Sequence, residues 1–406
     1  MKSLLAILLC LGTLTLHAQQ ADLNRPFGWA NCTSLTSGDD YQVTGGNAKT
    51  HPRQITLVSH RGDMQQDIID AINAYDVIVL DGRMGDFDVS SIMRFEGLHD
   101  KTIVGINNAR VCTRFFLNEE IHRLMDERHV LDAVTSSNGT AFSLSNGRNV
   151  HEEREYRVRQ LLIDYLNDPD ENYRNAGLFS LSDCHNLVMR NLTLVGPGAI
   201  DVGGADLLTC SRGCQHLWID HCDFMDGMDG NFDINSFSDL ITISWCRFHY
   251  TGRTYIHANT NLVGSSDRAT SNGEDNLNVT FAFCEWGPGC DQRMPMARFG
   301  TIHLLNNYYN CAGNSAAINP RFHAQFLIEG NYFERGVTRI FTQRDPLSYV
   351  FVGNHYSEPF DQPANLGQTV IPYSYAGIAT AEVAVTVGRQ AGATLTDPLS
   401  FLPLAN

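Results

Sequence analysis

The stretch Leu217-Trp-Ile-Asp-His-Cys-Asp-Phe224 decides the fold, because its pattern returns five more times along the chain. The later copies are Ile241-Thr-Ile-Ser-Trp-Cys-Arg-Phe248, Val279-Thr-Phe-Ala-Phe-Cys-Glu-Trp286, Ile302-His-Leu-Leu-Asn-Asn-Tyr-Tyr309, Phe326-Leu-Ile-Glu-Gly-Asn-Tyr-Phe333 and Tyr349-Val-Phe-Val-Gly-Asn-His-Tyr356. In each, apolar residues alternate, Cys or Asn fills the sixth place, and an aromatic fills the eighth. The sixth place recurs after 24, 38, 23, 24 and 23 residues. A fixed period of this size marks a solenoid. Alternation of period two makes each unit a strand, so the expected fold is all-β, a parallel β-helix. The 38-residue step reads as one coil carrying an extra loop of about 14 residues, and such inserted loops are where a solenoid carries function.

The amino terminus reads as a secretory signal peptide: Lys2, an apolar run from Leu4 to Leu16, then His17-Ala18. Cleavage is expected after Ala18, leaving residues 19–406 as one domain. The apolar run is too short to span a bilayer, and no later segment reads as transmembrane. The protein is therefore expected to be secreted or periplasmic, and monomeric. Its net charge of -16 argues against nucleic acid as a partner, because that takes a basic footprint. It also sits badly with a polyanionic substrate unless a divalent cation intervenes. Export permits disulfides among the ten cysteines that follow Cys10. Cys222, Cys246 and Cys284 hold one place in successive units and are expected to stack inward as thiols. Cys210 with Cys214 and Cys284 with Cys290 are the candidate bridges. No spacing suggests zinc.

Apolar residues at 64, 68, 69, 72 and 75 predict a helix before the strand-like Asp76-Val-Ile-Val-Leu-Asp-Gly82. Such a helix would cap the open end of the solenoid. Lys101–Ile106 and Leu187–Leu194 read as further coils. Residues 113–175 break the pattern: Asn118 caps one predicted helix, and Val158, Leu161, Leu162, Tyr165 and Leu166 stripe a second. This insertion either packs on the solenoid or shapes a cleft. The tail from 357 is expected to pack along the outside.

Two clusters carry chemistry. Asp229 and Asp233 precede the strand at Ile241, and Asp206 precedes the strand one coil earlier. Stacking coils about 4.8 Å apart brings such residues together. Converging carboxylates repel unless a cation joins them, and flexible oxygen ligands favour calcium. Solvated loop aspartates are the alternative. Arg293 and Arg298 form the second cluster, in Arg293-Met-Pro-Met-Ala-Arg298-Phe-Gly. Guanidinium groups fork onto carboxylates, which suits a substrate that carries them; a surface salt-bridged pair is the alternative.

From about Asn186 to Tyr356 the chain resembles the pectate lyases of polysaccharide lyase family 1, right-handed parallel β-helices. The motifs are Trp218-Ile-Asp-His221, Asp229-Gly-Asn-Phe-Asp233-Ile, Ile241-Thr-Ile-Ser244, Arg293 to Gly300, His303-Leu-Leu-Asn-Asn-Tyr-Tyr309, and Arg321 followed by Asn331-Tyr-Phe. The resemblance implies calcium-dependent β-elimination of polygalacturonate. It implies Asp206, Asp229 and Asp233 as Ca2+ ligands, Arg293 as the base, and Arg298 and Arg321 as holders of substrate carboxylates. One departure stands out. Family members carry an HxK pattern after the ITIS strand, whose lysine binds substrate; here His249 to Asn259 holds no lysine, and Arg253 is the candidate replacement. Three other readings remain: a pectin lyase on methyl-esterified chains, a polygalacturonase-type hydrolase with paired carboxylates, and a non-catalytic polysaccharide-binding β-helix. His221, His303 and the asparagines at 307, 331 and 354 are expected to be structural.

Overall fold

The six quoted units stack in register: Leu217, Ile241, Val279, Ile302, Phe326 and Tyr349 are partners across five parallel strand pairs. This computed structural model describes residues 24–115, 117–130, 150–166, 176–200, 205–254 and 256–401. The expected signal peptide, residues 1–18, lies outside the described residues. Within them the chain winds as a right-handed parallel β-helix with sheets of ten, nine and seven strands.

Each unit makes one corner of the coil, and local chemistry explains how. Its first four residues lie in the ten-stranded sheet, and its last two lie in the nine-stranded sheet. Between them the fifth residue turns the chain in the left-handed region. His221, Trp245, Phe283, Asn306, Gly330 and Gly353 all have φ between 47° and 62°. Four of the six bear side chains, each at a cost of about 1 kcal/mol or more. That cost is recovered by what the turn delivers. The sixth side chain points into the core and the eighth stacks on its counterpart in the next coil.

The inward ladder changes chemistry midway. Cys222, Cys246 and Cys284 are buried, and the Cys222 amide donates to Cys246 Sγ at 3.4 Å. From there asparagines take over. Asn307 Oδ1 accepts from the Cys284 amide (2.8 Å), Asn331 Oδ1 from the Asn307 amide (2.9 Å), and Asn354 Oδ1 from the Asn331 amide (2.9 Å). Each side-chain amide also donates to a strand carbonyl, so polar groups deep in the core are satisfied from coil to coil. Beside this runs an aromatic stack of Phe224, Phe248, Trp286, Tyr309, Phe333 and Tyr356, with centroids 4.5–5.8 Å apart. Offset stacking of this kind adds about 0.5–1.5 kcal/mol per pair beyond area burial.

The stacked cysteines behave as read, but the candidate bridges do not form: all ten described cysteines are free and buried. Cys284 Sγ faces the Ile243 and Ala282 carbonyls, whereas Cys290 Sγ faces Phe248 O. Cys214 Sγ likewise turns to the Ser211 carbonyl. Burial pushes the thiols of Cys290 and Cys311 up, Cys311 to about 12.

The predicted helix is Gln65–Ala74, with Ile68, Ala71 and Ile72 buried against the first coils. A strand not anticipated, Gln54–Val58, precedes it and forms the edge of the ten-stranded sheet. The insertion contributes helices Glu119–Glu127 and Val150–Leu166, and its residues 116, 131–149 and 167–175 lie outside the described set. Asn118 caps the first by accepting from the Ile121 amide at 3.0 Å. Ile121, Met125, Val158, Leu161 and Leu162 then pack with Ile200 and Met228 of the solenoid. The tail helix Thr380–Gln390 buries Val383 and Val387 against Trp245, Phe283 and Tyr308 on the outside.

Replacing Asn331 with Ala removes one acceptor and one donor from the middle of the ladder. Loss of about 2–4 kcal/mol of stability is expected, read as a lower urea midpoint with unchanged far-ultraviolet circular dichroism.

Candidate active site on the seven-stranded sheet

Six of the seven residues singled out for chemistry lie on or beside the seven-stranded sheet. Asp206 stands two residues before the strand Leu208–Ser211, and Asp229 three before Phe232–Ile234. Asp233 is central in that second strand, paired with Thr209. Alternation sends Phe232 and Ile234 into the core and Asp233 outward. Arg293 precedes the strand Met296–Ala297, Arg298 follows it, and Arg321 follows Asn319–Pro320 one coil on.

Asp206 and Asp233 are each only 8% exposed, unusual for carboxylates on the outer face of a sheet. Thr209 donates to Asp206 Oδ2 at 2.9 Å, whereas Asp206 Oδ1 is buried with no hydrogen-bond partner. Asp233 Oδ1 accepts the Leu262 amide at 2.9 Å. Gly230 makes the convergence possible: a Cβ there would lie 2.8 Å from Asp206 Oδ1 and 3.4 Å from Asp233 Oδ1. Burial is the main cause that raises both carboxyls, and for Asp206 the Asp233 and Asp229 charges follow. Asp233 rises to about 7, with Arg293 pulling it down and Asp229 pushing it up. Arg293 is the arginine whose charge lowers both carboxyls.

The backbone of Arg293 is fixed from both sides, its amide donating to Ala316 O (3.1 Å) and its carbonyl accepting the Asn261 amide (2.7 Å). It sits in the left-handed region, φ 63°, sparsely populated for a residue with a side chain. Arg298 donates through Nε to Asp267 Oδ1 (2.6 Å) and through a terminal nitrogen to Gly264 O (2.9 Å). The Nε of Arg321 is buried without a hydrogen-bond partner.

The carboxylate trio comes together as two and one. Asp229 turns its Oδ1 to His257 Nε2 at 3.1 Å. Accordingly, among the described residues no group of three His, Cys, Asp or Glu side chains stands ready to hold a metal ion. The donors nonetheless fit a hard cation: all are oxygens, one is buried and unpaired, and the floor lacks a Cβ. Arg253 lies outside the strands, on the exposed turn from Thr251 to Thr254, whose hydroxyls bind Asp226. His221 sits at the corner after the strand Gln215–Asp220, bonded to Asp220 (2.7 Å), and His303 lies in the ten-stranded sheet, bonded to Tyr373 (2.8 Å).

Residues that sequence reasoning passed over complete the face. His257 Nε2 also lies 2.7 Å from the side-chain nitrogen of Asn259, which is fully buried and pairs with Gln292. His257 and Asn259 sit in the stretch searched for the lysine, and their His-x-Asn spacing was the available clue. Asp267 lies in the loop of the 38-residue step, where an insertion had been recognised without a role. The chain contains only Lys2, Lys49 and Lys101; Lys49 is committed to Asp76 and Lys101 to the Tyr75 carbonyl.

Comparison with known proteins bears on the family and the fold. A pectate lyase family model matches residues 137–394, well over half of the 406 residues. The pectate trisaccharide-lyase of Thermotoga maritima is 37% identical over 140 residues, 33% of this chain and 36% of that protein. Pectate lyase A of Aspergillus niger is 33% identical over 220 residues, 52% of this chain and 63% of that one. The chain thus matches less than two thirds of the length of these curated relatives. Among solved structures, a pectate lyase from Bacillus sp. N165 in complex with trigalacturonate superposes with a TM-score of 0.57 at 17% identity, over 91% of this chain and 99% of that one. Pectate lyase II from Xanthomonas campestris gives a TM-score of 0.51 at 17% identity, over 91% and 98%. With the family model spanning most of the coils and the β-helix shared, the chain belongs to the pectate lyase family.

Proposed function

We propose that this chain is an exported, calcium-dependent pectate lyase that cleaves polygalacturonate by β-elimination. The observation that carries the reading is the pair of buried, convergent carboxylates, Asp206 and Asp233, on the outer face of the sheet that Arg293 leads into. The names of the Thermotoga and Aspergillus relatives supply the substrate class. Among the described residues no helix is long and apolar enough to cross a membrane, and export rests on the residue 1–18 pattern.

Asp206 and Asp233 would hold the calcium ion, joined by Asp229 on release from His257. Bound there, the ion would neutralise a uronate carboxylate and stabilise the negative charge that develops on it. Arg298 and Arg321 grip a uronate carboxylate with guanidinium forks and fix the sugar. Arg293 takes the C5 proton; that electron pair forms the C4–C5 double bond, the C4–oxygen bond breaks, and the leaving oxygen is protonated by solvent. Arginine normally titrates above 12, so the neutral base becomes available as the pH rises. Arg253 would meet the polymer from the exposed turn that binds Asp226.

Ultraviolet absorbance during incubation with polygalacturonate tests the reading: it should climb with calcium at alkaline pH and stop on adding a chelator. A hydrolase would release reducing ends without absorbance, and a binding module would do neither. Arg293→Ala should lower kcat by about a hundred- to ten-thousandfold while the fold is kept. Gly230→Ala places a methyl against Asp206 Oδ1, and weaker calcium binding by calorimetry is the expected result. A pH series adds a sign. With Asp233 raised from 3.8 to about 7, the folded chain binds the proton more tightly than the unfolded chain. Stability without calcium should therefore fall as the pH climbs from about 4 to about 7. Calcium should restore it, as a melting curve at each pH would show.

A further inference from the structure

Three arginines repeat one backbone position in three successive coils. The Arg298 amide donates to Val263 O (2.8 Å), that of Arg321 to Ala297 O (2.7 Å), and that of Arg344 to Pro320 O (3.0 Å). One carboxylate spans the outer two: Asp267 Oδ1 accepts from Arg298 Nε and Asp267 Oδ2 from Arg344, both at 2.6 Å. Arg321 lies between them with its Nε buried and without a hydrogen-bond partner. Its guanidinium is pushed down first by burial, then by Arg344 and Arg298. Three cations thus face one anion, on a chain of net charge -16.

We propose that Arg344 belongs to the substrate-binding surface, forming with Arg321 a subsite for a further uronate carboxylate, and that Asp267 braces Arg298 and Arg344 at its edges. The inference rests on the reading of the chain as a pectate lyase. Guanidinium forks match carboxylates bidentately, and coils stack about 4.8 Å apart, close to the length of one 1,4-linked sugar. A chain lying along the row therefore presents successive carboxylates to successive coils. Asp267 positions the arginines rather than touching the substrate.

Asp267 is 43% exposed and Arg344 50% exposed, so substitutions there leave the core untouched. Arg344→Gln and Arg344→Lys are compared with the unaltered chain on polygalacturonate. Turnover is followed by absorbance, and affinity by retardation in a gel containing the polymer. Arg344→Gln should raise KM about tenfold, the size of one lost charge-assisted contact, with the loss in KM rather than kcat and with weaker retardation. Lysine should restore part of both. Asp267→Asn should also raise KM, and combining it with Arg344→Gln should cost less than the sum of the two losses, because only the brace on Arg298 is then left to lose. If the unaltered chain cleaves the polymer and Arg344→Gln matches its KM, the subsite is overturned while the lyase assignment stands. Fully additive losses, or a lower KM for Asp267→Asn, overturn the brace. If the unaltered chain neither cleaves nor is retarded, the lyase reading falls and the subsite with it.

Discussion

In-register stacking of parallel coils is the constraint on which everything else depends. A coil cannot bury its inward face alone, and the next coil is the only surface that fits it. That requirement selects a sixth residue able to sit in the core, first as a thiol at 222, 246 and 284, then as an amide at 307, 331 and 354. It also selects an aromatic at the eighth place, so that rings from Phe224 to Tyr356 meet face to face. Because register is shared by all three sheets, fixing it in the ten-stranded sheet fixes it in the seven-stranded sheet too.

The candidate face is a consequence of that transfer of register. Asp206, Asp233, Arg293, Arg298 and Arg321 come from four coils of the seven-stranded sheet, yet stacking holds them within one patch. Burying two carboxylates side by side is unfavourable without a counter-charge. Arg293 supplies part of it, and the raised titration of Asp233 records the remainder. The arginine row beyond it has the opposite imbalance, with Asp267 shared by two guanidinium groups and Arg321 left between them. A polymer bearing a carboxylate on each sugar is complementary to the row directly, and to the acidic pair through a divalent cation.

The extra loop of the 38-residue step shows how sequence and structure divide the labour. Its length was visible as a break in period that marked a place for function, and Arg253 was the residue its sequence offered. Only the fold brings His257 against Asp229 and Asp267 against Arg298 and Arg344. The same holds for the cysteines. Proximity in sequence suggested Cys284 with Cys290, whereas the corner at Phe283 sends Cys284 into the ladder and leaves Cys290 under Phe248.

The sequence by itself determined the repeat, the strand period, the capping helix, the two amphipathic helices of the insertion and six residues of the face. Each of these is a local pattern: period, alternation, a cap or a short motif. Tertiary structure alone decided which side of each coil faces solvent, which carboxylates converge, that Arg253 stays on an exposed turn, and that Arg344 falls in line with Arg298 and Arg321. The physical reason is that stacking sets distances between residues about 23 positions apart or more, by register and not by neighbourhood along the chain.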